Sequence, residues 1–183
     1  MNEMIRQTLA VLVDNEAGVL SQVSRLFSRK GYNIESLAVG TTEDPKISRI
    51  TIEVLADEDR INLLCNQLRK LFPVHSIKRL APARSIRREL LLIKVAARDN
   101  DSRSEAIQIA NIFRASIIDV SPETLTLAII GDEQKTEALQ KLLEHCGILE
   151  MARTGMIALE RGTDTIDEDT KEKGEFNYGK NVL

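Results

Sequence analysis

The amino-acid sequence predicts an α+β fold of two consecutive ferredoxin-like βαββαβ domains with a mobile C-terminal tail. In its 183 residues, β-rich and helical segments follow the order β-α-β-β-α-β twice. A proline-containing segment around Pro82 separates the two copies. Apolar periodicity disappears after Gly162, so the tail has too little apolar surface to offset the entropy of ordering it. The predicted boundaries are 4–81 for the first domain, 82–87 for the linker, 88–162 for the second domain and 163–183 for the tail.

The first copy opens with a β-rich segment at 5–13. A helix is predicted from Gly18 to Lys30, because its apolar residues form one stripe and Gly31 supplies a C-terminal stop. In the third strand, apolar residues alternate with Arg49, Thr51 and Glu53, which predicts one buried face and one solvent-facing face. The other predicted elements are strands at 33–41, 47–55 and 74–80 and a helix that runs from Asp57 to before Pro73.

The second copy opens with a strand at 88–97. A helix is predicted from Ser102 to Phe113, because Ser102 and Glu105 have the spacing of a capping box. The other predicted elements are a helix from Gln134 to His145, with Gly147 as its stop signal, and strands at 115–120, 123–130 and 148–158. Because such sheets leave edge strands and one face uncovered, we expect the chain to form at least a dimer.

Composition and charge narrow the classes of function. The net charge of −3 predicts no general attraction to nucleic acid or to anionic membranes. Cys65 and Cys146 have neither disulfide-framework nor metal-site spacing, and the N-terminus lacks a signal-peptide pattern, so we expect a cytoplasmic protein. The two central strands carry none of the aromatic side chains with which RNA-recognition modules of this fold order stack bases.

The junction between the first strand and the first helix is the most informative stretch. The N–H groups of Gly18, Val19 and Leu20 have no partners within a helix, and they can bind a carboxylate with help from the helix dipole. The Asn15 side chain offers a donor and an acceptor, as a zwitterionic amino acid requires. From these residues alone, the favoured alternative is structural, with Asn15 as an N-cap and Gly18 in a tight turn. Asn33 is a second candidate, and there too a turn role is favoured.

Catalytic alternatives have little support. His145 is adjacent to Cys146, but neighbouring residues in a helix point in different directions. Motifs for phosphate-loop, dinucleotide and zinc binding are absent from the sequence, so we expect no catalytic residues and no metal site. Arginines flank the predicted linker, which we interpret as a solvated segment, with an anion site or a partner contact as alternatives: Arg79, Arg84, Arg87 and Arg88.

Four blocks of the sequence, in one order, resemble the small regulatory subunit of acetolactate (acetohydroxyacid) synthase. They are DNEAGVLSQVSRLFSRKGYNIESLAVG, SRITIEV, FRASIIDVSPETLTLAIIG and ARTGMIALERG. The first block resembles an ACT domain, and the resemblance covers about residues 5–162. One departure is Ala17, where the family often has proline.

The resemblance implies a non-catalytic subunit with a defined partner. It implies binding to a catalytic large subunit that carries thiamine diphosphate, Mg²⁺ and FAD, with no cofactor on this chain. It also implies activation of that enzyme and feedback inhibition by branched-chain amino acids, usually valine, bound between the ACT domains of a homodimer. On this basis Asn15 and Gly18 are expected at the site with the amides of Val19 and Leu20, and the facing chain contributes Asn33 and Ile34. The alternative is a free-standing ACT-domain sensor that controls another enzyme or a transcription factor.

Overall fold

The computed structural model describes residues 3–166, and it contains the predicted βαββαβ order twice. The first copy consists of β1 Ile5–Asp14, α1 Val19–Lys30, β2 Ile34–Thr41, β3 Ile47–Ala56, α2 Glu58–Leu68 and β4 Val74–Arg79. The second consists of β5 Ser85–Ala96, α3 Asn100–Phe113, β6 Ser116–Val120, β7 Thr124–Gly131, α4 Glu133–Leu143, β8 Ile148–Arg153 and β9 Ile157–Glu160. Short 3-10 helices occupy Pro82–Arg84 and Glu144–Cys146. Strand β5 therefore begins inside the segment 82–87 that was predicted to be a linker.

The chain divides into two compact units. Among the described residues, the first contains 3–35, Val39–Arg84 and 160–166. The second contains Ser36–Ala38 and Ser85–Leu159. In the described part of the chain, no helix is both long and apolar enough to cross a membrane.

Each sheet has the strand order of a ferredoxin-like domain. The first is β2-β3-β1-β4, and the main path of the second is β6-β7-β5-β8, with β9 also paired to β5. The pairings of β1 with β3 and β4, and of β5 with β7 and β8, are antiparallel. The core of the first unit includes Leu9, Val11, Phe27, Ile61 and Leu64, and the core of the second includes Leu91, Ile93, Leu125, Leu127, Leu139 and Leu143.

The two units repeat one arrangement at the same register. Leu9 lies opposite Arg79 in the first sheet, and Leu91 lies opposite Arg153 in the second. Two residues before each leucine, a buried polar side chain accepts a hydrogen bond from the arginine: Gln7 from Arg79 at 3.1 Å and Glu89 from Arg153 at 3.2 Å. An irregularity in pairing also follows three residues after each leucine. The repetition thus extends from element order to individual side chains.

The prediction of a solvent-facing side of β3 is wrong. Thr51 and Glu53 are 3% and 2% exposed, and the facing Thr8 on β1 is also buried. Thr8 Oγ1 donates a 3.1 Å hydrogen bond to Glu53 Oε1. Polar alternation therefore marks a paired interior face at these positions, because buried polar groups are stable when they are hydrogen-bonded.

The predicted start of the third helix is also corrected. Asp99, not Ser102, is the N-cap of α3, and Ser102 occupies the N3 position of its capping box. The Ser102 backbone N–H donates to Asp99 Oδ1 at 2.7 Å. This bond lowers the pKa of the Asp99 carboxyl, because a backbone donor stabilises its charged form. Both residue types are good N-caps, so the sequence pattern allowed either start.

The end of the described chain differs from its prediction as well. The predicted strand 148–158 is two strands, β8 and β9, interrupted at residues 154–156. The first residues of the predicted mobile tail pack within the first unit, where Ile166 is 7% exposed and accepts a 2.7 Å hydrogen bond from Ser76 Oγ. Arg84 pairs with Asp164 at 2.7 Å. Residues 167–183 of that tail lie outside the described residues.

Candidate functional site

The junction between β1 and α1 holds four of the six predicted site residues, and the end of β1 is fixed at the start of β4. The backbone N–H of Asp14, the last residue of β1, donates to the Pro73 carbonyl at 2.9 Å. The Asp14 carboxylate lies 2.6 Å from Nε2 of His75. Both contacts hold the chain in place immediately before Asn15.

Asn15 is bonded to the β2–β3 turn through both its backbone and its side chain. Its backbone N–H donates to the Lys46 carbonyl at 2.7 Å, and its Nδ2 donates to the Pro45 carbonyl at 2.9 Å. Its Oδ1 accepts a 3.0 Å hydrogen bond from Ser48 Oγ. Asn15 is not the N-cap of α1, because that position belongs to Gly18. Its amide therefore organises the loop, and by its chemistry it retains one further N–H and one further acceptor position.

Gly18 begins α1 in a conformation that suits glycine. Its φ is +87°, in the left-handed region, and a Cβ at this position would meet no atom of the described chain within 4 Å. In the described chain, no side chain caps this helix start. The N-terminal amides of α1 thus lack a side-chain acceptor in the described chain, and the space beside the Gly18 Cα is open, an arrangement that favours a carboxylate.

Val19 and Leu20 contribute differently from each other. The Val19 side chain is 4% exposed and belongs to the core, so only its backbone can face a ligand. The Val19 N–H lies 3.4 Å from the Glu16 carbonyl, a long distance for a hydrogen bond. The Leu20 side chain is 42% exposed and provides apolar surface beside the loop.

Asn33 and Ile34 lie at the opposite end of α1. Asn33 is exposed, and its Nδ2 donates to Glu35 Oε1 at 2.7 Å. Ile34 is partly buried and begins β2. The 12 residues of α1 separate the two groups by about 18 Å at 1.5 Å per residue. The structure therefore brings Asn15 and Gly18 together with Val19 and Leu20, and it leaves Asn33 and Ile34 apart from them within one chain.

Sequence reasoning missed the residues that support this loop. Ser48 and Pro45 are about 30 positions from Asn15, and His75 is 61 positions from Asp14. Sequence spacing gives no signal for these pairs, because strand pairing brings them together.

A cavity of about 380 Å³ lies elsewhere in the first unit, beside α2 and β4. Its cationic groups already have partners: Arg79 pairs with Glu58 at 2.6 Å, Lys78 pairs with Glu160 at 2.6 Å, and Arg69 donates to Asn66 Oδ1 at 3.2 Å. The hydrogen bond from Arg79 lowers the pKa of the Glu58 carboxyl. The cavity contains none of the six predicted effector-site residues. It is lined by Asn62, Cys65, Asn66, Arg69, Ile77, Lys78 and Arg79. Across the described residues, His, Cys, Asp and Glu form no group that could hold a metal ion.

Family models match both units. Residues 9–76 match the model described as "AHAS small subunit-like ACT domain". Residues 88–162 match the model described as "Small subunit of acetolactate synthase".

Individual relatives match along most of their length. The acetolactate synthase small subunit of Mycobacterium bovis is 50% identical over 155 residues, which cover 85% of this chain and 92% of that protein. The corresponding protein of Aquifex aeolicus is 42% identical over 166 residues, or 91% of this chain and 86% of that protein. The crystal structure of the acetolactate synthase small subunit from Thermotoga maritima superposes with a TM-score of 0.82 at 36% identity, and it covers 88% of this chain and 100% of that chain.

Proposed function

The chain belongs to the family of acetolactate synthase small subunits, and on that premise we propose that it activates a catalytic large subunit and makes it sensitive to valine. The first unit carries the ACT domain and the second carries the family's C-terminal domain. Family membership implies a catalytic large-subunit partner. The observation that carries the effector proposal is the α1 start, where Gly18 leaves backbone amides without a side-chain cap in the described chain.

The valine carboxylate binds at this helix start. The N–H groups of Gly18, Val19 and Leu20 donate to it, and the helix dipole adds a favourable contribution of about 0.3–2 kcal/mol. A Cβ added at Gly18 would meet nothing within 4 Å, which supports the idea that a ligand can approach the backbone here. The exposed part of Leu20 offers a surface for the short apolar side chain of valine.

The ammonium end requires a second copy of the chain. Asn33 lies about 18 Å from the α1 start in its own chain, a distance that one valine cannot span. In a homodimer with the α1 start of one protomer facing Asn33 and Ile34 of its partner, both ends of the ligand are bound. Asn33 Nδ2 is already engaged by Glu35, so Asn33 Oδ1 remains as an acceptor for the ammonium.

In this proposal the chemistry belongs to the catalytic partner in the cytoplasm. Thiamine diphosphate, Mg²⁺ and FAD bind to that partner, and the present chain supplies regulation without a cofactor of its own. Valine inhibits only if its affinity differs between the active and the inhibited arrangements of the complex.

The proposal is tested by reconstitution. The purified chain is mixed with the large subunit, and acetolactate formation from pyruvate is measured with and without valine. We expect the chain to raise the activity of the large subunit, valine to lower the activity of the mixture, and the chain alone to give no product. Valine binding without any effect on acetolactate formation would favour a free-standing sensor, and product formed by the chain alone would overturn the non-catalytic assignment.

A further inference from the structure

We propose that Ser48 is a positioning residue of the effector site and acts through Asn15. The inference rests on the proposed function, because it concerns the loop to which valine is assigned. Ser48 is 7% exposed, and its hydroxyl donates to Asn15 Oδ1 at 3.0 Å. Ser48 does not belong to the α1 start, so its effect on binding is indirect.

The Pro45 carbonyl sets which way the Asn15 amide is turned, and the Ser48 hydroxyl holds the amide oxygen in that orientation. The amide oxygen faces the Ser48 donor, while the amide nitrogen faces the Pro45 carbonyl at 2.9 Å. Reversal of the amide would set its oxygen against the Pro45 carbonyl, two acceptors, whereas the Ser48 hydroxyl can donate or accept. Pro45 therefore selects the orientation of the amide, and Ser48 ties its oxygen to β3.

The turn that receives Asn15 is braced by its own hydrogen bonds. Thr42 Oγ1 donates to the Asp44 carbonyl at 3.1 Å, and the Lys46 N–H donates to Asp44 Oδ1 at 2.9 Å. The Ile47 N–H donates to the Asp44 carbonyl at 3.0 Å. Such a turn resists displacement, so the Asn15 contacts tie the effector loop to a fixed support.

Ser48 is itself held in the sheet. It is the second residue of β3 and pairs with Val13 on β1, two residues before Asn15. The hydroxyl therefore comes from a strand residue whose backbone does not depend on the loop. Without it, the loop between Asn15 and Gly18 samples more conformations, and a ligand that needs one of them binds at the cost of ordering the loop.

The expected effect is a weakening of valine binding. Because one hydrogen bond of this kind stabilises its arrangement modestly, Ser48→Ala is expected to weaken valine affinity by about five-fold. Ser48→Thr keeps the hydroxyl and is expected to restore most of the affinity. Ser48→Cys keeps the size of the side chain but donates weakly, so its affinity is expected to lie between the two.

The test is titration calorimetry of valine into each full-length variant, with acetolactate formation in the reconstituted complex as the second readout. Ser121→Ala is the matched control, because its hydroxyl donates to a carboxylate oxygen of Asp119 in the second unit. We expect valine affinity in the order wild type, Ser48→Thr, Ser48→Cys, Ser48→Ala, with Ser121→Ala equal to the wild type. In the reconstituted complex, the valine concentration that halves acetolactate formation is expected to rise in the same order.

The outcomes distinguish a failure of the proposed function from a failure of the role assigned to Ser48. A wild-type chain that binds no valine contradicts the proposed function. If the wild-type chain binds valine and Ser48→Ala binds it with the same affinity, only the role of Ser48 is overturned. Equal losses in Ser48→Ala and Ser48→Thr also overturn it, because the hydroxyl is then not the cause. If Ser48→Ala does not fold, the comparison of Ser48→Cys with Ser48→Thr decides in the same way.

Discussion

Thr136 Oγ1 donates a 2.5 Å hydrogen bond to the carboxylate of Glu89, which ties α4 to β5 at a point where both side chains are buried. Glu89 also accepts from Arg153 on β8 at 3.2 Å. One buried carboxylate thus joins three elements of the second unit. A buried carboxylate is stable only while such partners remain.

Removal of the Thr136 hydroxyl is therefore expected to destabilise the second unit. Thr136→Val keeps the shape of the side chain but leaves Glu89 without one donor, at a cost of about 1–3 kcal/mol in the free energy of unfolding. Urea denaturation of the full chain measures this change. Thr136→Ser keeps the hydroxyl and is the control. An unchanged unfolding midpoint for Thr136→Val would show that the bond contributes little.

Two glycine substitutions separate backbone strain from loss of the effector site. Gly18 and Gly162 both have positive φ, +87° and +78°, and at each position an added Cβ meets nothing within 4 Å. Gly18→Ala and Gly162→Ala are therefore each expected to cost about 1 kcal/mol in stability through backbone strain. Only Gly18→Ala is expected to weaken valine binding as well. Calorimetric titration and thermal unfolding measure the two effects, and equal affinities in both variants would argue against a site at Gly18.

The ion pair between Glu58 and Arg79 is expected to make stability depend on pH. The hydrogen bond from Arg79 lowers the pKa of the Glu58 carboxyl below its ordinary value of 4.5. The stabilisation is therefore complete above pH 4.5 and is lost as the pH falls through the lowered folded-state pKa. Because the pair is partly exposed, added salt weakens it too.

Thermal unfolding of Glu58→Gln measures this dependence. The wild type is expected to have the higher Tm near neutral pH, and the difference is expected to vanish in acid. Glu137→Gln, which removes an exposed carboxylate from α4, controls for the change in net charge. A difference in Tm that persists at about pH 2 would point to a cause other than this pair.

The two cysteines are expected to react slowly in the folded protein. Cys65 and Cys146 are free thiols with 5% and 7% exposure. Burial raises the pKa of both thiols, so little of the reactive thiolate is present. Labelling with a thiol reagent at mildly alkaline pH is expected to be at least ten-fold faster in denaturant than in buffer. Rapid labelling of the folded chain would contradict the burial of these side chains.

The fold was predictable because the sequence signals for its helices and strands are local. The stripe in α1 and its stop at Gly31 depend on neighbours in sequence, and the structure confirms both ends of that helix to within one residue. The assignment of the first domain as an ACT domain is confirmed too. In contrast, burial of Thr51 and Glu53 depends on what covers the second face of a sheet, which alternation along one strand does not reveal.

The candidate site was predictable only in part. The exposed amides after Gly18 follow from helix geometry, so the sequence indicated them directly. The engagement of Asn15 by Ser48 and the β2–β3 turn comes from strand pairing, which sequence spacing does not encode. The effector role of Asn15, Gly18 and Asn33 stays a prediction, and so does that of Val19, Leu20 and Ile34.

Arg79 and Arg153 occupy equivalent positions in the two units, but different groups lose a hydrogen-bond donor when each side chain moves away. Release of Arg79 leaves a donor missing at the neutral amide of Gln7 and at the Glu58 carboxylate, which already meets solvent. Release of Arg153 strands a buried negative charge at Glu89, which is far more costly. Opening between α2 and β4 is therefore easier than opening between α4 and β8. The two arginine contacts therefore differ in compliance, with the looser one in the unit that carries the ACT domain and the tighter one in the second unit.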